Sequence, residues 1–262
     1  MDRQAVRFEV RDRVAHVILN RPDKANVITA EVARDLMHAS IACDENPEVR
    51  SVLIRGEGPM FSGGGDLKTF AGKGESLPTY LKETTTYLHA AISRFARQAA
   101  PTVCAVQGFA AGGGFSLAVA SDLVVASESA RFMMAYTKAG LTPDGSSTYF
   151  LPRLVGLQRA LDMALTNRVL SAREAMEWGL VSRVVVDGEL RDTAESLAHS
   201  LAGGATWALG MCKALMQGGL NESLETQMEM ETRAIADAVR TADGREGISA
   251  FLEKRKPKFQ GR

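Results

Sequence analysis

The fold is decided by the stretch Gln107-Gly108-Phe109-Ala110-Ala111-Gly112-Gly113-Gly114-Phe115, together with an earlier glycine-rich stretch, Phe61-Ser62-Gly63-Gly64-Gly65-Asp66-Leu67-Lys68. Each follows a short apolar run that predicts a buried strand, at residues 51–55 before the first stretch and at residues 102–106 before the second. The second stretch also opens an apolar segment, residues 115–120, that predicts a buried helix. A strand, a glycine-rich turn and a helix thus follow one another twice, which predicts an α/β fold.

The rest of the chain continues this alternation to about residue 195 and then changes character. We predict further strands at residues 6–10, 14–19, 123–126 and 183–186, and helices that begin after Thr29, span residues 77–98 and begin after Ser171. The first glycine-rich turn leads into a polar loop. From about Thr193 the strand pattern disappears, which predicts an α/β core at residues 1–195 and a helical region at residues 196–262. The apolar stripes of that region pack either against the core or against another subunit.

Composition and charge describe an ordinary globular enzyme. The chain has 262 residues, with 31 basic and 31 acidic side chains, so a nucleic-acid partner is not expected, because binding to phosphate backbone normally requires a basic excess. The three cysteines are scattered and form no CxxC pair, which predicts neither disulfides nor a metal site and fits a reducing cytoplasm. A charged N-terminal segment and the lack of a run of about 18 apolar residues predict no signal peptide and no membrane span.

The glycines of the two turns have a possible chemical use. Neither turn matches the nucleotide-binding patterns GxGxxG or GxxxxGK[ST]. Glycine allows a backbone N–H to approach a ligand because no Cβ is in the way, and a helix N-terminus adds positive potential at its free N–H groups. Two such turns can form an oxyanion hole.

The chain resembles the crotonase superfamily, also called the enoyl-CoA hydratase/isomerase family, over nearly its whole length. The family shows FxxGxDL at its first turn and GxxxGGG at its second, and this chain has both in that order. Other similar stretches are Asn20-Arg21-Pro22, Lys24-Ala25-Asn26, Ala130-Arg131-Phe132, Gly140-Leu141-Thr142-Pro143 and residues 251–257. The resemblance implies a spiral of ββα-type units and a helical C-terminal region that assembles a homotrimer or a dimer of trimers. It also implies an acyl-CoA thioester as the substrate, with coenzyme A as part of that substrate and no separate cofactor.

Carried over position by position, the resemblance assigns two oxyanion donors and a substrate-binding surface. The donors are the backbone N–H groups of Gly65 and Gly113, which would stabilise an enolate. The substrate, mainly its coenzyme A arm, is expected near residues of the N-terminal loop and the two turns: Lys24, Ala25, Val27, Gly63, Asp66, Leu67, Phe109 and Gly112. Lys24, Lys68 and the basic cluster at residues 254–258 are candidate phosphate partners, and a solvated charged tail is the alternative for that cluster.

Two positions depart from the pattern of the family's hydratases. Those enzymes use two glutamates to hold and activate water, and this chain has Ser116 and Tyr136 at the corresponding positions. Neither is a carboxylate, and a phenol with a pKa of about 10 is a poor general base at neutral pH. Hydration through two glutamates is therefore not expected. Ser116 is then either a substrate contact or a helix-packing residue, and Tyr136 either shapes the acyl pocket or belongs to the core.

Asp144 is the candidate acid/base. It follows Pro143, at a position where family members that move double bonds or displace halide carry a catalytic aspartate. One carboxylate suffices for isomerisation, because it can remove a proton from one carbon and return it two carbons further along while the oxyanion hole stabilises the dienolate. The alternative is a turn residue after Pro143.

Hydration of an enoyl-CoA by a mechanism without the two glutamates stays open as an alternative, and so do two further interpretations. An aryl-CoA dehalogenase of the superfamily uses an aspartate nucleophile at the position of Asp144 and a histidine on the helix before the second turn, where this chain has His89. In that reaction His89 would activate the water that hydrolyses an aspartyl-aryl intermediate, although a lone histidine on an amphipathic helix is commonly a packed or surface residue. The other interpretation is a member that binds acyl-CoA without turnover.

Overall fold

The computed structural model describes residues 5–261, which form two β-sheets surrounded by helices. The strands are β1 (Val6–Arg11), β2 (Val14–Leu19), β3 (Ser51–Gly56), β4 (Thr102–Val106), β5 (Phe109–Ala111), β6 (Leu123–Ser127), β7 (Arg131–Met133), β8 (Leu170–Ser171) and β9 (Arg183–Val185). The helices are α1 (Ala30–Glu45), α2 (Leu67–Ala71), α3 (Leu77–Arg97), α4 (Gly113–Val119), α5 (Ser147–Val155), α6 (Leu157–Thr166), α7 (Ala172–Glu177), α8 (Leu190–Ala202), α9 (Thr206–Gly218), α10 (Leu224–Ala238) and α11 (Ala242–Leu252). This order of elements confirms the predicted α/β class.

The larger sheet carries the core on both of its faces. Its six strands lie in the order β1-β2-β3-β4-β6-β9, with β1 antiparallel to β2 and every other pair parallel. All residues of β2, β3 and β4 are buried, as is typical of parallel strands covered by helices on both sides. Ile54 of β3 lies in the same apolar cluster as Leu36 of α1 and Leu88 of α3, and its neighbour Leu53 lies in a second cluster with Leu197 of α8.

The smaller sheet and helix α2 were not expected from the sequence. The smaller sheet has the order β5-β7-β8, and its strands are two or three residues long, too short to show an alternating pattern. The prediction of a polar loop directly after the first glycine-rich turn is wrong at residues 67–71. Asp66 Oδ1 accepts hydrogen bonds from the backbone N–H groups of Lys68 and Thr69, both at 3.1 Å, and so caps α2. Both β5 and α2 border the glycine-rich turns.

The described residues beyond β9 form the helices α8 to α11. Helix α8 packs against the larger sheet through Leu190, Ala194 and Leu197. The predicted boundary at residue 195 falls inside this helix, and the division into two regions stays a prediction. Helices α10 and α11 expose large apolar side chains, among them Leu224, Met228, Ile235, Phe251 and Leu252.

Within residues 5–261, no helix has both the length and the apolar character that a membrane span requires.

A largely buried ion pair ties α9 to the larger sheet. Lys213 Nζ lies 2.8 Å from Asp122 Oδ2, and the two side chains are only 11% and 15% exposed. The same carboxylate oxygen accepts hydrogen bonds from the backbone N–H and the hydroxyl of Thr102, both at 2.7 Å. Lys213 also donates to the carbonyl oxygen of Phe95, at 3.1 Å.

Replacing Lys213 by methionine is expected to lower the free energy of unfolding by about 2 kcal/mol in urea denaturation. The change leaves the Asp122 carboxylate without its cation, while methionine keeps the apolar contacts of the lysine stem. Water reaches part of the pair, so the cost should stay below that of a fully buried pair. The exposed Glu229–Arg233 pair of α10 is the control: Arg233→Met should cost less than about 0.5 kcal/mol, and equal losses in the two variants would contradict this account.

Candidate active site

The two glycine-rich turns lie side by side. The backbone N–H of Ser62 donates to Phe109 O at 3.0 Å, and the N–H of Ala111 donates to Ser62 O at 2.9 Å. Gly64 has a φ of +86°, and a Cβ there would lie 2.6 Å from Ala111 O, so this close approach requires glycine. A Cβ on Gly112 would lie 3.9 Å from the backbone nitrogen of Gly65, which places the ends of the two turns in contact.

The backbone N–H groups of Gly65 and Gly113 are free to bind a ligand. Gly113 is the first residue of α4, where a helical N–H has no partner within the helix. Gly65 lies in an isolated bridge with Ile28, in which the N–H of Ile28 donates to Gly64 O at 2.7 Å. Within residues 5–261, neither glycine N–H has a hydrogen-bond acceptor. Both N–H groups are therefore available to donate a hydrogen bond to a bound ligand.

A cavity of about 270 Å³ opens beside these two glycines. Its apolar wall includes side chains from α2, from α3, from the loop before α1 and from the loop before α5, namely Phe70, Leu81, Leu88, Ile28 and Leu141. Tyr136 and Asp144 also line it, and Asp144 is the one carboxylate among the described lining residues. The sequence did not single out the apolar wall, because its residues are scattered along the chain and look like ordinary core positions.

Asp144 lies in the loop before α5 and is held by several neighbours. The hydroxyl of Tyr136 donates a hydrogen bond to Asp144 Oδ1. The carbonyl oxygen of Asp144 accepts from Ser116 Oγ at 2.9 Å and from Ser147 Oγ at 3.0 Å. Burial and the neighbouring Asp144 carboxylate raise the pKa of the Tyr136 phenol, so Tyr136 stays protonated and acts as a hydrogen-bond donor.

Ser116 lies beneath this loop rather than on the cavity wall. It is fully buried, and its Oγ is within hydrogen-bond distance of Gly112 O, Tyr136 OH and Asp144 O. The prediction that Ser116 contacts the substrate is therefore not supported by its position. Its contacts are with the residues that hold Asp144.

His89 lies behind the Asp144 loop on α3. Its Nε2 accepts a hydrogen bond from the backbone N–H of Gly145 at 3.1 Å, so the ring nitrogen facing the loop already has a partner. His89 lines a different cavity, of about 880 Å³, which it shares with Asp144, Arg97 and Tyr149 but not with the two free glycine N–H groups. The structure thus brings His89 next to the loop of Asp144 and not into the smaller cavity.

The residues predicted for the coenzyme A arm surround the first turn. The N–H of Gly63 donates to Ala25 O at 2.8 Å, and a Cβ on Gly63 would lie 3.7 Å from Val27. Leu67 and Lys24 are exposed. Gly112 lines the smaller cavity, whereas Phe109 is 40% exposed and lies outside it. Their binding roles stay predictions.

Two charged groups of the predicted binding surface already have partners. Burial raises the pKa of Asp66, but hydrogen bonds from Thr69 and Lys68 more than offset this and leave the pKa lowered, so the carboxylate serves α2. In the basic cluster, Arg255 pairs with Glu246 and Glu253, which favours the solvated-tail alternative for that side chain.

No group of three or more His, Cys, Asp or Glu side chains that could hold a metal ion occurs in the part of the chain that the structure describes.

Comparison with known proteins identifies the family. The profile of the enoyl-CoA hydratase/isomerase family matches residues 9–262. The chain belongs to this family. Within the enoyl-CoA hydratase/isomerase family, the 1,2-epoxyphenylacetyl-CoA isomerase of Escherichia coli (strain K12) is 38% identical over 251 residues, which are 95% of each chain. A probable enoyl-CoA hydratase of Rhodobacter capsulatus is 37% identical over the full length of both chains, and a 4-chlorobenzoyl coenzyme A dehalogenase of Arthrobacter is 33% identical over 95% of this chain and 91% of its own.

Solved structures of family members confirm the predicted crotonase fold. An enoyl-CoA hydratase from Polaromonas is 32% identical and superposes with a TM-score of 0.93 over 97% of this chain and 99% of its own. An enoyl-CoA hydratase from Bacillus anthracis is 31% identical, with a TM-score of 0.92 over 99% of this chain and 100% of its own. These relatives include isomerases, hydratases and dehalogenases, so family membership by itself leaves the reaction open.

Proposed function

We propose that this family member moves a carbon-carbon double bond in an enoyl-CoA thioester, with Asp144 as the acid/base. One observation carries the proposal: Asp144 is the one carboxylate among the described residues of the cavity that Gly65 and Gly113 also line. A single carboxylate beside two backbone donors suits proton transfer next to a thioester carbonyl. Ser116 and Tyr136 supply no second carboxylate with which to activate water.

The reaction needs one proton to leave and one to return. With the thioester oxygen bound by the N–H groups of Gly65 and Gly113, the Asp144 carboxylate removes a proton from C2 of a 3-enoyl-CoA. The electron pair moves into a dienolate whose oxygen the two N–H groups stabilise. The protonated Asp144 then delivers a proton to C4, which leaves the double bond between C2 and C3 and restores the carboxylate.

The acyl group is proposed from the cavity and from the relatives. The wall formed by Ile28, Phe70, Leu81, Leu88 and Leu141 is apolar, which suits a hydrocarbon acyl group. The names of the Escherichia coli isomerase and the Arthrobacter dehalogenase specify acyl groups that derive from an aromatic ring. We therefore include ring-bearing acyl-CoA thioesters in the proposed substrate class.

The remaining parts of the proposal concern the cofactor, the assembly and the location. Coenzyme A would enter as part of the substrate, with no separate cofactor, and Lys24, Ala25, Val27, Gly63 and Leu67 would lie along its arm. The exposed apolar side chains of α10 and α11 support association with other copies of the chain, and the proposed homotrimer or dimer of trimers rests on the family resemblance. The cytoplasmic location rests on the cysteine pattern and on the family.

The test is to incubate the purified protein with 3-enoyl-CoA and 2-enoyl-CoA thioesters, both linear and phenyl-substituted. The expected result is interconversion of the two isomers, followed by chromatography and by the ultraviolet absorbance of the conjugated thioester. Formation of a 3-hydroxyacyl-CoA as the main product would overturn the proposal in favour of a hydratase.

Two other outcomes would replace the proposal with the remaining interpretations. Halide release from a 4-halobenzoyl-CoA, without double-bond migration, would assign a dehalogenase that uses Asp144 and His89. Tight binding of acyl-CoA without turnover of any of these substrates would assign a binding protein.

A further inference from the structure

Ser116 and Tyr136 are joined to each other and to Asp144 by hydrogen bonds. Ser116 Oγ lies 2.9 Å from Tyr136 OH, and Tyr136 OH donates to Asp144 Oδ1. The three residues come from three places in the chain: the helix after the second glycine-rich turn, the segment after β7, and the loop before α5. These contacts are independent of the oxyanion donors.

The hydroxyl groups can be oriented from the number of their protons. Tyr136 has one hydroxyl proton, and the acceptor with the highest charge within reach is the Asp144 carboxylate. Ser116 has one hydroxyl proton and can give it to Asp144 O, Tyr136 OH or Gly112 O. In each case both hydroxyl protons are used within the protein, and neither is available for donation to a water molecule in the cavity.

The backbone of the Asp144 loop is pressed against Ser116. Gly145 has a φ of +59°, and a Cβ there would lie 2.6 Å from Ser116 Cβ. The N–H of Gly145 is held by His89 Nε2 at 3.1 Å. Asp144 is thus fixed through its carbonyl oxygen, through one carboxylate oxygen and through the next peptide N–H.

We propose that Tyr136, supported by Ser116, is a positioning residue that fixes one oxygen of the Asp144 carboxylate and leaves the other to exchange protons with the substrate. This inference rests on the proposed function and assigns a role to the two positions where the family's hydratases carry glutamate. Fixing one oxygen limits rotation of the carboxylate relative to the bound acyl chain.

The test compares Tyr136→Phe with Ser116→Ala, using double-bond migration as the assay. Tyr136→Phe keeps the ring and its packing and removes the donor. We expect kcat to fall about tenfold or more with KM within about twofold. Ser116→Ala should lower kcat by a smaller factor, again with little change in KM, and it serves as the second variant if Tyr136→Phe does not fold. Tyr149→Phe, in the other cavity, should behave as the wild type.

The outcomes separate this inference from the proposed function. An active wild type whose Tyr136→Phe variant keeps the wild-type kcat would overturn the inference alone. So would a loss confined to KM, because that indicates a residue that shapes the pocket. A wild type that moves no double bond would overturn the proposed function and the inference together.

Discussion

Replacing Asp144 by asparagine is expected to slow double-bond migration by about 10²–10⁴-fold, the range typical of a positioned general acid/base. Asparagine has nearly the same shape, and its amide oxygen can still accept the hydrogen bond from Tyr136, so the loop before α5 should keep its conformation. The amide cannot take a proton from C2. Initial rates with a 3-enoyl-CoA measure the loss, and calorimetry with a non-reactive acyl-CoA measures binding, which should change little.

The control for Asp144→Asn is Asp162→Asn, which alters a partly exposed carboxylate paired with Arg168. This variant should isomerise at the wild-type rate. If Asp144→Asn kept more than about a tenth of the wild-type rate while folding normally, Asp144 would not be the essential base.

Replacing Gly113 by proline is expected to slow the reaction by about 10²–10³-fold, the cost typical of losing one oxyanion donor. Proline has no N–H, and Gly113 is the first residue of α4, where a helix tolerates proline best. Gly113→Ala is the matched variant, because alanine keeps the N–H. Its Cβ would lie 3.1 Å from Ile28 Cδ1, the end of a flexible side chain, so a small local shift should accommodate it.

The comparison between the proline and alanine variants tests the N–H group together with the space in front of it, because the Cδ of proline takes the place of the N–H hydrogen. We expect the alanine variant to lose far less activity than the proline variant, with circular dichroism and thermal unfolding showing that both are folded. Equal activities would mean that the N–H of Gly113 does not stabilise the transition state. The oxyanion hole would then have to be assigned elsewhere.

The fold could be predicted from the sequence wherever local signals were strong. The buried strands β3 and β4 are continuous apolar runs, and the predicted caps at Thr29 and Ser171 are confirmed. Thr29 Oγ1 accepts from the N–H of Val32 at 3.3 Å, and Ser171 and Glu174 form a capping box. Both depend on residues three positions apart, which a sequence displays directly.

The smaller sheet and the surroundings of Asp144 could not be predicted in the same way. Strand β5 is three residues long and is defined by its pairing with β7, about twenty residues away, so no local periodicity marks it. The contacts among Ser116, Tyr136 and Asp144 join three separate segments, and their side-chain directions depend on tertiary packing. The sequence therefore indicated which residues carry the chemistry but not that Ser116 and Tyr136 hold Asp144.

The most direct test of double-bond isomerisation by Asp144 is to incubate the wild type with a 3-enoyl-CoA in ²H₂O and determine the product's mass and deuterium positions. We expect a 2-enoyl-CoA that has gained no water, with deuterium at C4 to the extent that the Asp144 proton exchanges with solvent. With Asp144→Asn, product and label should both appear about 10²–10⁴-fold more slowly. A product carrying an added water would contradict the account. So would deuterium entering C4 at an undiminished rate in the Asp144→Asn variant.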